Sequence, residues 1–509
     1  MWNEARFSAP SGSIAYKQGA GKSAPILQIT GRYGTMASKQ VQGKRYLSGS
    51  PERRGADGGR WRAGVSFESR ARLAVCDMPD VSHEAVAPGG KPRILFAISD
   101  TGGGHRSGAQ AIAAAIEQQV GEAVETYIID IFAHTGVPVV RNAPVVYDKL
   151  STRWLPLYDA LYRMTDGRRR IDALTGVVYL AAHRNILRVL EAVRPTLVVS
   201  VHPLLNRLVG NARRTYRLSF RFITVVTDLV SLHASWADPS AELCIVPTDE
   251  AFERMLRLGM PPEKLMRTGF PVHPKFAAYH RTRDEAQTIL GLSPELFTVL
   301  VTSGGVGSGN MEQLVRNIHT AYPQIQLLAV TGRNSALRER LEKSGFGPNV
   351  HIFGFVTNME ELMAASDIVI SKAGPGTLME ALVMRRPVIV TQAVGMQERG
   401  NIDFVLNHEL GLFCPTIDRI VPVLAELMEP STYAATAARL VDAVPRDGAM
   451  QIASILLEQL HLEPPVRRYR RFRLPSVRML RPRAIVRRLR LPRVRGLVRW
   501  RRPLPGRRR

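Results

Sequence analysis

The stretch from Ser371 to Asn401 restricts the fold more than any other. An apolar run, Asp367 to Ile370, ends in a turn of Gly374, Pro375 and Gly376. Thr377 follows as an N-cap, with Glu380 three residues on and an apolar stripe of Leu378, Ala381 and Leu382. This order predicts a strand, a tight loop and a helix whose first N–H groups point into the crevice at the strand's carboxyl end. A helix start in that place attracts an anion, commonly a diphosphate. A second strand, Pro387 to Thr391, precedes Gln397, Glu398 and Asn401, a cluster of hydrogen-bonding side chains. Phosphate on one side of a crevice and hydroxyls on the other suit a nucleotide sugar.

The 509 residues exceed one ordinary domain. The net charge of +25 sits at the ends. Residues 1–88 carry +6, Arg467 to Arg509 includes 19 arginines, and no acid follows Glu463. Residues 89–463 are therefore near neutral, and the basic character belongs to the tails. Residues 1–88 are rich in Gly, Ser, Ala and Arg without sustained periodicity, which predicts disorder, and Met78 leaves open a later start. Cys76, Cys244 and Cys414 have no metal-ligand spacing and read as buried or incidental thiols of a reducing compartment. No apolar run reaches the ~18 residues of a membrane span, and no signal-peptide pattern opens the chain. The expectation is a soluble or peripheral protein kept in the cytoplasm.

Order begins at Arg93. Ile94 to Ile98 is a continuous apolar run, the mark of a strand buried on both faces. It gives way to Ser99-Asp-Thr-Gly-Gly-Gly-His105-Arg106, a helix from Ala109 and a strand from Glu125 to Asp130. The loop has neither GxxxxGK[ST] nor GxGxxG spacing, so attention moves to His105 at the helix start. Residues 143–190 interleave aromatics with arginines, and either core-packing amphipathic helices or a membrane-facing surface accounts for them. Further strands end at His202-Pro203 and at Asp228, with His233 nearby. Gly269 to Pro274 reads as a hinge to a second α/β domain. There the strand Phe297 to Thr302 leads into the glycine-rich loop 303–309, and a later strand leads to Gly332-Arg333-Asn334. The boundaries expected are 1–88, 89–272, 273–463 and an Arg-rich tail, 464–509. That tail mixes Leu, Ile and Val with arginines, which suits an anionic membrane, a nucleic acid, or nothing beyond solvent.

Nine motifs in order carry a resemblance: SDTGGGHR (99–106), VHPL (201–204), VTDLVSLHASW (226–236), GFPVHPKF (269–276), SGGVGSG (303–309), TGRN (331–334), GFVTNM (354–359), SKAGPGTLMEAL (371–382) and QERGN (397–401). Over residues 92–415 the chain resembles the monogalactosyldiacylglycerol synthases and related bacterial diacylglycerol glucosyltransferases. These belong to the glycosyltransferase group that includes the peptidoglycan N-acetylglucosaminyltransferase. The resemblance implies a GT-B fold, two Rossmann-like domains facing a cleft, with disordered basic tails outside it. It also implies an inverting hexosyl transfer without a catalytic metal, from UDP-galactose or UDP-glucose to diacylglycerol. By the same resemblance His105 is the general base. Gly304, Gly305 and the Gly374-Pro375-Gly376-Thr377 helix start cradle the diphosphate, with Arg333 also on the donor side. Phe355 and Val356 meet uracil, Glu380 binds the ribose hydroxyls, and Gln397 and Glu398 read the hexose, with Asn401 beside them. Gly103, Gly104, Trp154, Tyr158, His202 and Asp228 fall to the acceptor and membrane side. Two positions depart from the family's pattern. Gly395-Met396 stands where Pro-Gly is usual, and GGVGS replaces a GGGEG-like loop, so galactose and glucose both remain open.

His105 is expected to titrate near neutrality, with Asp100 orienting it, binding the acceptor's glycerol, or simply forming the turn. Asp228 and His233 are either site or structural residues. The family reading places the protein on the inner face of the cell membrane, held by the basic tail and residues 143–190. Two alternatives stand beside it: transfer to another lipid such as a polyprenyl-linked acceptor, or a non-enzymatic basic protein that binds nucleic acid or membrane. The family reading expects no specific nucleic acid.

Overall fold

The computed structural model describes residues 90–100, 104–142, 154–302, 311–393 and 395–461. The expected N-terminal extension, the Arg-rich tail, Gly103, Gly304 and Gly305 lie outside these residues.

The apolar runs form two six-stranded parallel sheets. The first comprises β1 (Arg93–Ile98), β2 (Glu125–Asp130), β3 (Leu197–Ser200), β4 (Arg221–Val225), β5 (Leu243–Val246) and β6 (Leu265–Arg267), in the order β2-β1-β3-β4-β5-β6. Leu95 of β1 lies between Tyr127 and Val198. The second comprises β7 (Thr298–Thr302), β8 (Gln326–Val330), β9 (Val350–Phe353), β10 (Ile368–Ser371), β11 (Val388–Val390) and β12 (Gly411–Phe413), in the order β12-β11-β10-β7-β8-β9. Both orders reverse direction once beside the first strand of the sheet, and a parallel sheet opens a ligand crevice at the carboxyl side of that reversal. The loops that carry the glycine motifs, after β1 and β10, leave from these places. This is the GT-B architecture, two Rossmann-like halves.

Helices cover both faces of each sheet because the central strands are apolar on both sides: Leu95 and Ala97 pack into one core, Ile94, Phe96 and Ile98 into another. The helix Gly104–Val120 lies on the second of these cores through Ala109, Ile112, Ala115 and Ile116. One expected boundary is corrected here. The last described helix, Gly448–Leu460, was assigned to the second domain, yet its Ala449, Ile452, Ala453 and Leu456 are buried in that same core of the first sheet. The chain thus crosses between the halves twice, and the crossings touch. A Cβ on Gly448 would lie 2.5 Å from the Phe270 carbonyl oxygen, so only glycine admits the passage.

Residues 155–193 form two helices, Leu155–Thr165 and Arg168–Val193. The second buries Ile171, Tyr179, Ile186 and Leu190 against the first sheet. The first buries nothing fully: Trp154 and Met164 are each 59% exposed on its outer side. One helix thus packs on the core as the amphipathic pattern expects, and its neighbour presents an open apolar side. Among the described residues no helix is long and apolar enough to cross a membrane.

Candidate active site

The helix from Gly104 starts earlier than its apolar pattern suggested, and this puts His105 in its first turn. The imidazole is buried among partners from three other segments. Its ring meets His202 edge-on at 4.6 Å and Trp236 at 6.2 Å, and its Nδ1 is 2.9 Å from Thr227 Oγ1. Burial pushes His105 down to about 4, only partly offset by a hydrogen bond to the Val201 backbone. His202, also buried and facing His105, is held well below the usual histidine range. The expectation that His105 titrates near neutrality is thus corrected: desolvation keeps the imidazole neutral. A second correction concerns Asp100, whose carboxylate does not reach His105. It forms a two-point ion pair with Arg106, Oδ1 to Nε at 2.6 Å and Oδ2 to Nη2 at 2.8 Å, while its own N–H donates to Asp130. Thr227 takes the place next to the histidine.

Across the crevice the helix Pro375–Val383 begins at the Gly-Pro-Gly turn. Gly374, with extended backbone, is its N-cap and no side chain caps it. Thr377 is therefore inside the first turn and not the cap expected, and the free N–H groups at this start are open to an anion. Two side chains shape the turn. Asn401 is buried and its Nδ2 donates to the Ala373 carbonyl at 2.8 Å, so it braces the turn from behind. Lys372 Nζ lies 3.3 Å from Glu398 Oε1, a cation beside the helix start. The two helix starts approach closely: a Cβ on Gly376 would be 3.7 Å from Ser107 Oγ, two residues after His105.

Glu380 lies further along, near Lys275 and Glu360. Burial raises its carboxyl to about 7, against the pull of Lys275 and with the help of Glu360. Phe355 is 61% exposed and its ring stacks under the Arg333 guanidinium at 5.0 Å, an open aromatic face at the mouth of the second half. Val356 is half-buried against the core behind it.

The two halves are stitched together beside this crevice. Asp228, just after β4, is buried; its Oδ2 accepts from Trp236 Nε1 at 2.6 Å and its Oδ1 from Gln397 Nε2 at 3.2 Å. Burial raises the Asp228 carboxyl, and these hydrogen bonds oppose the rise. Tyr158 Oη donates to Gln397 Oε1 at 2.7 Å, and the Met396 N–H donates to Asp159 Oδ1 at 2.9 Å. His233 has a structural place: its Nδ1 accepts from the Ser235 N–H, and its Nε2 faces Thr165 Oγ1.

The structure thus gathers His105, His202, Asp228, Tyr158, Gln397, Glu398 and the 374–377 helix start around one crevice. It leaves Asp100 and Trp154 outside that group. Sequence reasoning passed over Thr227, Lys372 and Asp159. Lys372 lay within a quoted motif, and Thr227 directly precedes Asp228 at a strand end, which was the available signal.

Comparison with known proteins gives two family matches: Monogalactosyldiacylglycerol (MGDG) synthase over residues 105–272, and the glycosyltransferase family 28 C-terminal domain over residues 298–394. The chloroplastic monogalactosyldiacylglycerol synthase of Spinacia oleracea is 32% identical over 356 residues, covering 68% of each chain. A probable chloroplastic monogalactosyldiacylglycerol synthase of Glycine max is 33% identical over 359 residues, covering 68% of this chain and 67% of its own. Among solved structures, MurG of Acinetobacter baumannii aligns with a TM-score of 0.48 at 15% identity, over 72% of this chain and 100% of that one.

Proposed function

Since the chain belongs to the monogalactosyldiacylglycerol synthase family and is a glycosyltransferase, we propose that it moves a hexose, galactose or glucose, from a UDP-sugar to the free hydroxyl of 1,2-diacylglycerol, inverting the anomeric centre. The observation that supports this reading most is the meeting of two helix starts, one carrying His105 and the other an uncapped anion site, with Gly376 and Ser107 in near contact.

In this reading the acceptor hydroxyl lies against His105. The imidazole takes the hydroxyl proton while the oxygen attacks the anomeric carbon, and the bond from that carbon to the diphosphate oxygen breaks. Burial leaves His105 neutral and free to accept a proton at physiological pH, but it also makes the imidazolium costly. The diphosphate's negative charge, held close by the 375–383 helix start, offsets that cost. Charge developing on the leaving UDP falls on the helix N–H groups and Lys372. These groups take the role a metal ion plays elsewhere, so the reading is metal-independent. Asp100 is tied to Arg106 and not to the imidazole. Glu380 receives the ribose hydroxyls, Phe355 and Val356 the uracil, and Gln397 and Glu398 the hexose.

The lipid would reach the crevice from a membrane surface. The exposed apolar side chains Trp154, Leu157, Leu161 and Met164 of one helix, and Leu174, Val177 and Leu180 of the next, flank the exposed arginines 168–170. That combination suits an anionic lipid surface and a peripheral enzyme on the inner face of the cell membrane. Incubation with UDP-galactose or UDP-glucose and diacylglycerol, with the product identified by mass and sugar analysis, tests the reading. A hexosyl diacylglycerol is expected, in equal yield with EDTA; no glycolipid from either donor would overturn the reading.

A further inference from the structure

Gln397 stands on the second half of the molecule, yet both ends of its amide are held from the first. Tyr158 Oη donates to Oε1 at 2.7 Å, and Nε2 donates to Asp228 Oδ1 at 3.2 Å. Which end of the amide faces which partner follows from chemistry. An ionised carboxylate only accepts, so the N–H side must turn to Asp228 and the carbonyl to the Tyr158 hydroxyl. Both partners are themselves fixed. Asp228 is held by Trp236 Nε1, and Tyr158 is followed by Asp159, which accepts the Met396 N–H next to Gln397. A primary amide has two N–H donors and two carbonyl lone pairs. The relay uses one of each, leaving one N–H and one lone pair in set directions.

We propose that Tyr158 and Asp228 are specificity-determining positioning residues, which fix the turn of the Gln397 amide and so decide whether a hexose hydroxyl beside it meets an N–H or a carbonyl. This rests on the hexose-transfer reading of the same crevice. Galactose and glucose differ at one carbon, where the hydroxyl leaves the ring axially or equatorially. An amide locked in one orientation favours one of the two, whereas an amide free to turn serves both. Donor choice is then a property of the two halves together and not of the UDP-binding half alone. It also follows that the unsubstituted chain prefers one donor.

The test uses the full chain with Tyr158→Phe and Asp228→Asn, measuring kcat/KM for UDP-galactose and UDP-glucose with diacylglycerol. UDP affinity is measured by calorimetry on each variant to report folding. Loss of one oriented hydrogen bond predicts a fall of roughly 5- to 10-fold for the preferred donor and less for the other, moving their ratio toward one. UDP affinity stays within about twofold, since the relay does not touch the diphosphate site. Tyr158→Phe removes a single hydroxyl and carries the test if Asp228→Asn fails to fold. Equal losses for both donors, unchanged kinetics, or an unsubstituted chain without preference would overturn the inference alone. Absence of transfer from either donor would overturn the reading beneath it as well.

Discussion

Gly395→Ala separates strain within the second half from contact between the halves. Gly395 has φ +57, a conformation that costs an alanine about 1–2 kcal/mol over glycine. That part is felt wherever the 395–407 helix forms, whether or not the halves meet. The added Cβ would also lie 2.6 Å from Asp159 Oδ1 and 2.8 Å from Tyr158 Cδ1, both on the 155–165 helix of the first half. Relieving such overlap costs about 1–3 kcal/mol, and only where the two halves meet. Two readouts divide these costs. The urea midpoint reports the backbone strain, and UDP-hexose affinity reports the contact between the halves, expected to weaken by roughly 5- to 150-fold. A variant whose urea midpoint falls while UDP-hexose affinity is unchanged would refute the reasoning, because the contact with Tyr158 and Asp159 would then not form part of the donor site.

Three further outcomes follow from the site. His105→Ala is expected to lower transfer by ~10²- to 10⁴-fold, the usual worth of a general base, with UDP affinity nearly intact; wild-type-like turnover would remove His105 from the mechanism. If Glu380, raised to about 7, binds the ribose as proposed, it must lose its proton to accept both hydroxyls, so UDP affinity should rise as pH climbs through 7 and Glu380→Gln should flatten that profile in calorimetric titrations. The native state holds this proton after the unfolded chain has released it, so Glu380 lowers stability as pH rises from the ordinary carboxylate range to about 7, which urea midpoints across that window read directly.

The strands of both sheets were legible because a strand buried on two faces must be apolar at every position, as Ile94 to Ile98 and Val299 to Val301 are. The exceptions are β6 and β12, three residues each, at the sheet edges; in β6 Met266 and Arg267 face solvent and no apolar run exists to read, and β12 is too short to stand out. The place of His105 was legible, since a glycine run between strand and helix clears space at a known end of a known sheet. Its environment was not. Thr227 lies 122 residues away, and His202 and Trp236, which meet the imidazole, come from separate segments. Asp100 was the nearest carboxylate in sequence, but Arg106, directly after His105, takes it. The last helix shows the same limit. Its apolar stripe announces burial without naming the core, and the answer was the sheet at the other end of the chain.

The anomeric configuration of the glycolipid tests the central claim most directly. A single displacement by an alcohol that His105 deprotonates converts an α-linked UDP-hexose into a β-linked hexosyl diacylglycerol, which the proton NMR coupling at the anomeric carbon distinguishes. A β-linked product that disappears with His105→Ala is the predicted result. An α-linked product, or a β-linked one that persists without the imidazole, would contradict the account.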